Sequence, residues 1–314
     1  MKNKYFPDWV KKIGVISLAS KAPEKICKKS MRFFEQSGLE VKWDIIAKKQ
    51  TDINKAKLFE KMWIDDSIDL IISERGGYGS ASVCDVIDWN LLSSISKPFI
   101  GYSDITAFHL AMLKYGINTP IAGPMATEFF TRSNENIYAS LKKILNDNYY
   151  SCNNRHKVED LFDYIPFREQ SNLSILNYGL AEGVLLPVNL TTFSSMIGTN
   201  YMPDLKDCIL LIEDIAEEPY KIHRYLNQLK QSGILKKVKA LLLGVFTKCG
   251  NVQEINKIFK EFSTYVNGPV VLGVNFGHIE NSLIFPFGKK VFLQVDSEFI
   301  KKFKVLHSNC KVNK

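Results

Sequence analysis

The chain has 314 residues, 46% of them hydrophobic, enough for one large or two medium domains with a sizeable core. Lys plus Arg total 41 against 33 Asp plus Glu, and the net charge of +8 is spread along the chain, densest near Lys48–Lys57, Lys236–Lys239 and from Lys301 onward. None of these stretches is a clean run interleaved with aromatics, so the excess reads as solvated surface with a mild pull on acidic substrates, not as a nucleic-acid site. The six cysteines, Cys27, Cys84, Cys152, Cys208, Cys249 and Cys310, are scattered without a C-x-x-C, which excludes zinc-ligand spacing and a small-domain disulfide framework. The N-terminus lacks a signal-peptide apolar region, and no apolar run is long enough to span a bilayer. The expectation is a cytoplasmic protein with free thiols and with neither membrane nor nucleic acid as partner.

The first half alternates strand-like and helix-like segments. Ile13–Leu18 is a short apolar run, and Ala22–Ser37 carries Ile26, Met31, Phe33 and Phe34 at helical spacing. Leu39–Ile45 returns to strand character, Ala56–Asp65 to helix and Ile68–Ile72 to a buried strand. Pro98–Ile100 is another strand, followed by a helix over Asp104–Lys114. Such alternation predicts βαβ units and a mostly parallel sheet, in which ligands collect at the carboxyl ends of the strands. Over 147–172 the pattern weakens into Asn, Asp, Arg, Tyr and Ser, which predicts a connection between domains spanning 1–146 and 173–314. Beyond it, strands are predicted at Leu173–Tyr178, Gly183–Leu186, Cys208–Ile212, Val238–Val245, Val270–Val274 and Val291–Val295. Helices are predicted at Pro219–Gln231 and Val252–Phe262.

Three strand ends carry residues suited to chemistry. Gly101-Tyr102-Ser103-Asp104 lies between a strand and a helix, where a tight turn exposes the Ser103 hydroxyl beside unpaired helix N–H groups. Ile105 replaces the second glycine of a full G-x-S-x-G elbow, and taken alone the segment reads first as a helix N-cap at Ser103 or Asp104. Glu74-Arg75-Gly76-Gly77-Tyr78-Gly79 follows a buried strand, and its glycines can present bare N–H groups as half of an oxyanion hole or to a phosphate. It has neither the P-loop ending nor the dinucleotide spacing, and a plain glycine turn is the alternative. Of the five histidines, His109 and His223 fall on helices, His156 in the connection and His307 in the tail. His278 alone follows a buried strand beside a glycine, a placement that suits a general base. Glu213, at the end of the strand Cys208–Ile212, is the candidate carboxylate to orient it, with Asp214, Glu217 and Glu218 as local competitors.

Together these segments resemble the LD-carboxypeptidase family of serine peptidases, which includes the microcin C immunity hydrolases. The family's R-G-G-Y-G corresponds to Arg75–Gly79 and its G-x-S-D to Gly101–Asp104. Its L-E-D-x-x-E-x-P-Y block corresponds to Ile212-Glu213-Asp214, Glu217 and Pro219-Tyr220, followed by Arg224. Its G-H block corresponds to Gly277-His278, with Pro286 and Gly288 at the far end. The likeness runs from about Ile13 to Val295. It implies a flavodoxin-like parallel-sheet domain followed by a swivelling-β/α-type domain, and a catalytic triad of Ser103, His278 and Glu213. It further implies an oxyanion hole from the N–H groups of Gly77 and Asp104, no metal or organic cofactor, and a homodimer. Two departures stand out. Pro187-Val188 replaces a glycine pair before Asn189, and Asn281 is displaced by one position after His278.

The leading expectation is hydrolysis of the bond between the L-centre diamino acid (meso-diaminopimelate or L-Lys) and terminal D-Ala in murein tetrapeptides. A second is cleavage of peptidyl or aminoacyl nucleotide conjugates. A third is a non-catalytic α/β protein whose glycine loop holds an anion. An α/β-hydrolase shares the order serine, acid, histidine, but the full elbow and an HGGG-type loop are missing.

Overall fold

A computed structural model of the chain describes residues 5–43, 50–131, 135–150 and 173–306. Two compact units make up the chain. One comprises Met1–Lys142, Ser195–Asp204 and Ile284–Phe287, the other Lys143–Ser194, Leu205–Leu283 and Gly288–Lys314. The sequence predicts two consecutive halves, whereas the observed units interleave, because two short later segments belong with the first. Most of the predicted connection, 151–172, lies outside the described residues, as do His156 and His307, while 147–150 complete the helix Glu135–Tyr150.

In chain order the strands are β1 (Lys12–Ile16), β2 (Glu40–Trp43), β3 (Leu70–Ser73), β4 (Phe99–Gly101), β5 (Pro120–Ala122), β6 (Ser174–Asn177) and β7 (Gly179–Asn189). They continue with β8 (Cys208–Ile215), β9 (Ala240–Thr247), β10 (Val270–Leu272), β11 (Phe285–Pro286), β12 (Lys290–Val295) and β13 (Ile300–Val305). The first unit's sheet has the order β11-β5-β4-β3-β1-β2. Strands β1 to β5 are all parallel, and β11 closes the edge antiparallel to β5. The order 2-1-3-4-5 is the flavodoxin-like one, and its switch point falls between β1 and β3. Four consecutive buried residues in β3 fit a strand covered on both faces.

Helix positions follow local signals. The helix Asp52–Ile64 starts before the predicted Ala56 because the Thr51 side chain caps it, accepting from the Asn54 N–H at 3.3 Å. The helix Glu24–Gln36 buries Cys27, Ser30 and Phe34 and leaves Ile26 exposed, so its inward stripe is turned from the predicted one. Phe59, Trp63, Phe99 and Phe108 are fully buried and pack edge to face or stacked, which locks the helices Asp52–Ile64 and Thr106–Lys114 to the sheet.

One member of this core is titratable. His109 lies between the rings of Phe99 and Phe287, and its Nε2 finds no hydrogen-bond partner among the described residues. Burial pushes its pKa down to about 3. An unfolded histidine takes up its proton near pH 6.5, so folding stability from this group is complete above that value and drains away as pH falls toward 3. Between pH 8 and 5 the loss is about 2 kcal/mol. His109→Met is expected to remove that share of the acid sensitivity, read as a smaller difference between urea unfolding curves at the two pH values.

The second unit's sheet has the order β13-β12-β7-β8-β9-β10-β6. Its centre, β7 to β10, is parallel, with β6, β12 and β13 added antiparallel at the edges. The helices Pro219–Gln231 and Val252–Ser263 connect the parallel strands. Strand β7 is far longer than the predicted Gly183–Leu186 and runs through Pro187 and Val188 to Asn189. Proline is tolerated there because β12 pairs with β7 only as far as Val184, which leaves β8 as the neighbour. The lysine-rich stretch after Ile300, read as a basic tail, is the edge strand β13 with Ile300 and Phe303 buried. Both units are α/β, as the resemblance implies.

Candidate active site

Strand β4 delivers Ser103. Tyr102 is extended, Ser103–Ile105 form a single 3-10 turn, and the helix Thr106–Lys114 follows. Ser103 has φ of +62°, a region that costs a non-glycine residue energy and that clusters at functional sites. A Cβ on Gly101 would lie 2.9 Å from Cγ2 of Ile105, so Ile105, where the full elbow has its second glycine, packs back over the first. Asp104 is buried; its Oδ2 accepts from the Ser80 N–H at 2.9 Å, and its carbonyl from the Ser80 hydroxyl at 2.5 Å. Burial pushes the Asp104 acid up, against the pull of the Ser80 donors. These bonds tie the turn to the end of the glycine loop.

That loop closes on the serine from β3. A Cβ on Gly76 would lie 3.0 Å from both Cβ and Oγ of Ser103, so bare backbone is what allows the approach. Gly77 has φ of +114° and sits against Ser20, whose hydroxyl accepts from the Tyr78 N–H at 3.1 Å. Glu74 does not face solvent. Its Oε1 accepts from the Ala22 N–H at 2.7 Å and its Oε2 from Trp43 Nε1 at 3.1 Å, which anchors the loop to the ends of β1 and β2. The resemblance implies the oxyanion role for Gly77 and Asp104; the contact of Gly76 with Ser103, and the parts of Ser20 and Ser80, emerge only once the loops are folded.

The second unit brings Glu213 and His278 together. Strand β8 continues past the predicted end at Ile212, with an irregularity between Ile212 and Asp214, so Glu213 lies within the strand, fully buried. Its Oε2 is 2.8 Å from Nδ1 of His278, whose side chain is 16% exposed. Its Oε1 accepts from Nδ2 of Asn189 at 3.2 Å, the residue directly opposite in the β7–β8 register. A side chain at Gly277 (φ +136°) would collide with Glu213: an added Cβ would lie 3.0 Å from Oε2. The Gly277 N–H donates to Ser282 Oγ at 3.0 Å, and Thr247 Oγ1 donates to the His278 carbonyl at 3.2 Å. Ser282, rather than the exposed Asn281, thus braces the turn.

The competing acids are engaged elsewhere. Asp214 Oδ1 accepts from Asn189 Nδ2 at 2.9 Å, and Oδ2 accepts from Thr191 N at 3.0 Å and Thr191 Oγ1 at 2.8 Å. Burial, with the charge of Glu213 adding to it, pushes the Asp214 acid up. Glu217 pairs with Lys221 at 3.2 Å, and Glu218 is exposed at the start of the helix Pro219–Gln231. His223 stands 3.6 Å from Glu261. A carboxylate at Nδ1 fixes the imidazole ring and its tautomer, which makes Nε2 the nitrogen able to take a proton. Cys27, Cys84, Cys208 and Cys249 are buried free thiols, and Cys152 and Cys310 lie outside the described residues. Among the described residues no group of three or more His, Cys, Asp or Glu side chains could hold a metal ion, and no helix is long and apolar enough to cross a membrane.

Residues 13–122 match the LD-carboxypeptidase N-terminal domain and residues 182–293 the LD-carboxypeptidase C-terminal domain. A probable murein peptide carboxypeptidase of Bacillus subtilis (strain 168) is 30% identical over 291 residues, covering 88% of this chain and 87% of its own. The crystal structure of muramoyltetrapeptide carboxypeptidase from Oxalobacter formigenes superposes with a TM-score of 0.76 at 27% identity, covering 94% of this chain and 99% of that one. The microcin C7 self immunity protein MccF in complex with aspartyl sulfamoyl adenosine shares the fold, with a TM-score of 0.76 at 22% identity over 95% of this chain and 96% of that one. By domain content, sequence and fold, this chain belongs to the LD-carboxypeptidase family of serine peptidases and is an enzyme of the carboxypeptidase class.

Proposed function

We propose that the chain releases terminal D-Ala from murein tetrapeptides, with Ser103 as nucleophile, His278 as general base and Glu213 as the group that orients the base. The observation that carries this reading is the buried Glu213 carboxylate 2.8 Å from Nδ1 of His278. An acid so placed stabilises the imidazolium formed when Nε2 accepts the Ser103 proton. In the proposed reaction Oγ of Ser103 attacks the carbonyl of the L-centre diamino acid, and the N–H groups of Gly77 and Asp104 receive the developing oxyanion. His278 then passes its proton to the departing D-Ala amine. Water, deprotonated by the same nitrogen, hydrolyses the acyl-enzyme. The step needs no metal or organic cofactor, and we propose a cytoplasmic homodimer as the working form.

The test is mass spectrometry of the purified protein incubated with a murein tetrapeptide and, separately, with an aminoacyl-sulfamoyl adenosine, beside fluorophosphonate labelling. Loss of D-Ala from the tetrapeptide, with the label on Ser103, is expected. Cleavage of the nucleotide conjugate alone would move the chain to the immunity-hydrolase reading. Neither cleavage nor labelling would leave a non-catalytic binding protein.

A further inference from the structure

A carboxypeptidase must recognise a free terminal carboxylate, and none of the residues assigned above carries a positive charge for it. The loops that leave β1 and β3 at the switch point of the first sheet supply two cations. Lys21 lies in the β1 loop; its Nζ is buried, and among the described residues it has no hydrogen-bond partner. Arg75 lies in the β3 loop and is half-buried; among the described residues its hydrogen bond is a long one, 3.4 Å from Nη1 to the Lys21 carbonyl. Glu74 accepts from the neutral N–H groups of Ala22 and Trp43, so it keeps its charge and offsets one of the two cations, while Asp104 is held by Ser80. The third cation, Lys55, is itself committed to the carbonyls of Leu18 and Ala19 at 3.0 and 3.2 Å. A buried ammonium without a hydrogen-bond partner among the described residues and a guanidinium with donors to spare, on adjoining loops with Glu74 offsetting only one of the two charges, form a site for an anion.

Their position decides which anion. Gly76, the residue after Arg75, touches Cβ and Oγ of Ser103. In a peptide attacked by Ser103, the terminal carboxylate lies one residue beyond the scissile carbonyl, a step of about 3.8 Å between Cα atoms. Arg75 is rooted one residue from the contact with the nucleophile, and its planar donors suit bidentate binding of a carboxylate. We propose that Arg75, backed by the Lys21 ammonium, binds the free α-carboxylate of the terminal residue and so makes the enzyme an exopeptidase. This rests on the murein peptide reading above and adds the residues that select a chain end.

The test measures kcat/KM on a murein tetrapeptide and on the same peptide with a C-terminal carboxamide, for wild type, Arg75→Ala, Arg75→Lys and Lys21→Met. Wild type is expected to favour the free acid by about 100-fold, the scale of a hydrogen-bonded charge pair. Arg75→Ala should erase most of that preference by losing rate on the acid while the amide is little changed. Lys21→Met should reduce it by about 10-fold, and Arg75→Lys should restore part of what alanine removes. A merely structural role would lower both substrates in proportion, and that result overturns the proposal, as does an unchanged acid-to-amide ratio in both Arg75→Ala and Lys21→Met. Should Arg75→Ala not fold, Arg75→Lys and Lys21→Met decide by the same ratio. Wild type that turns over the tetrapeptide with no preference for the acid sinks this inference alone. Wild type that cleaves neither peptide sinks the proposed function and the inference with it.

Discussion

Ser103→Ala is expected to lower kcat for D-Ala release by on the order of 10⁴–10⁶-fold, the scale seen when a serine nucleophile is removed, and to leave the fold intact. The substitution deletes only Oγ. The Cβ that packs against Gly76 remains, as do the bonds between Ser80 and Asp104 that hold the turn. Backbone at φ of +62° costs alanine much what it costs serine, so the melting temperature should barely move. The measurement is single-turnover release of D-Ala, followed by mass spectrometry, beside a thermal melt. A folded variant that keeps more than about a tenth of wild-type turnover, far short of the expected loss, would mean that Ser103 is not the nucleophile.

The candidate site residues are marked locally in the sequence where much of the scaffold is not, and the reason is physical. Ser103, Gly77 and His278 each follow a short apolar run and carry a local marker: a glycine, or a residue type that core packing does not favour. Parallel strands put their chemistry at such ends, so chain-local pattern is enough to nominate them. Glu213 is less plainly marked, because β8 runs on through it with an irregularity between Ile212 and Asp214. The contacts of Asn189 and Gly76 leave no such mark. Each matters through a partner distant in sequence, Asn189 through its register with Glu213 and Gly76 through its contact with Ser103. The same holds for the fold. Pro187 looks like a strand breaker until β12 is seen to stop short of it, and the lysines after Ile300 look like a tail until Ile300 and Phe303 find a core. The interleaving of the units, with Ile284–Phe287 returning to add β11 beside β5, leaves no local mark because a two-residue strand has no periodicity of its own.

Glu213→Gln is expected to cost about 10⁴-fold in kcat, because a neutral amide keeps the geometry and reverses the tautomer. The amide N–H of glutamine can donate to Nδ1, which then carries no proton of its own and leaves the proton on Nε2, the nitrogen that should receive it from Ser103. The pH profile separates this from a loss of structure. In wild type, kcat/KM should rise with pH through one ionisation as the imidazolium loses its proton. A free histidine titrates near 6.5, so the limb should cross the histidine range. The sign follows from the base: the protonated ring cannot accept, so activity fades in acid and levels off in alkali. With glutamine at 213 the ring loses its anionic neighbour, and the limb of the residual activity should move to lower pH. Glutamine is close to glutamate in size, and Asn189 can still donate to its oxygen, so the melting temperature should change little. The experiment is kcat/KM against pH for both proteins, with the thermal melt as control. Full activity in Glu213→Gln, or a wild-type profile that stays flat from about pH 5 to 8 across the histidine range, would show that proton transfer does not pass through the His278–Glu213 pair.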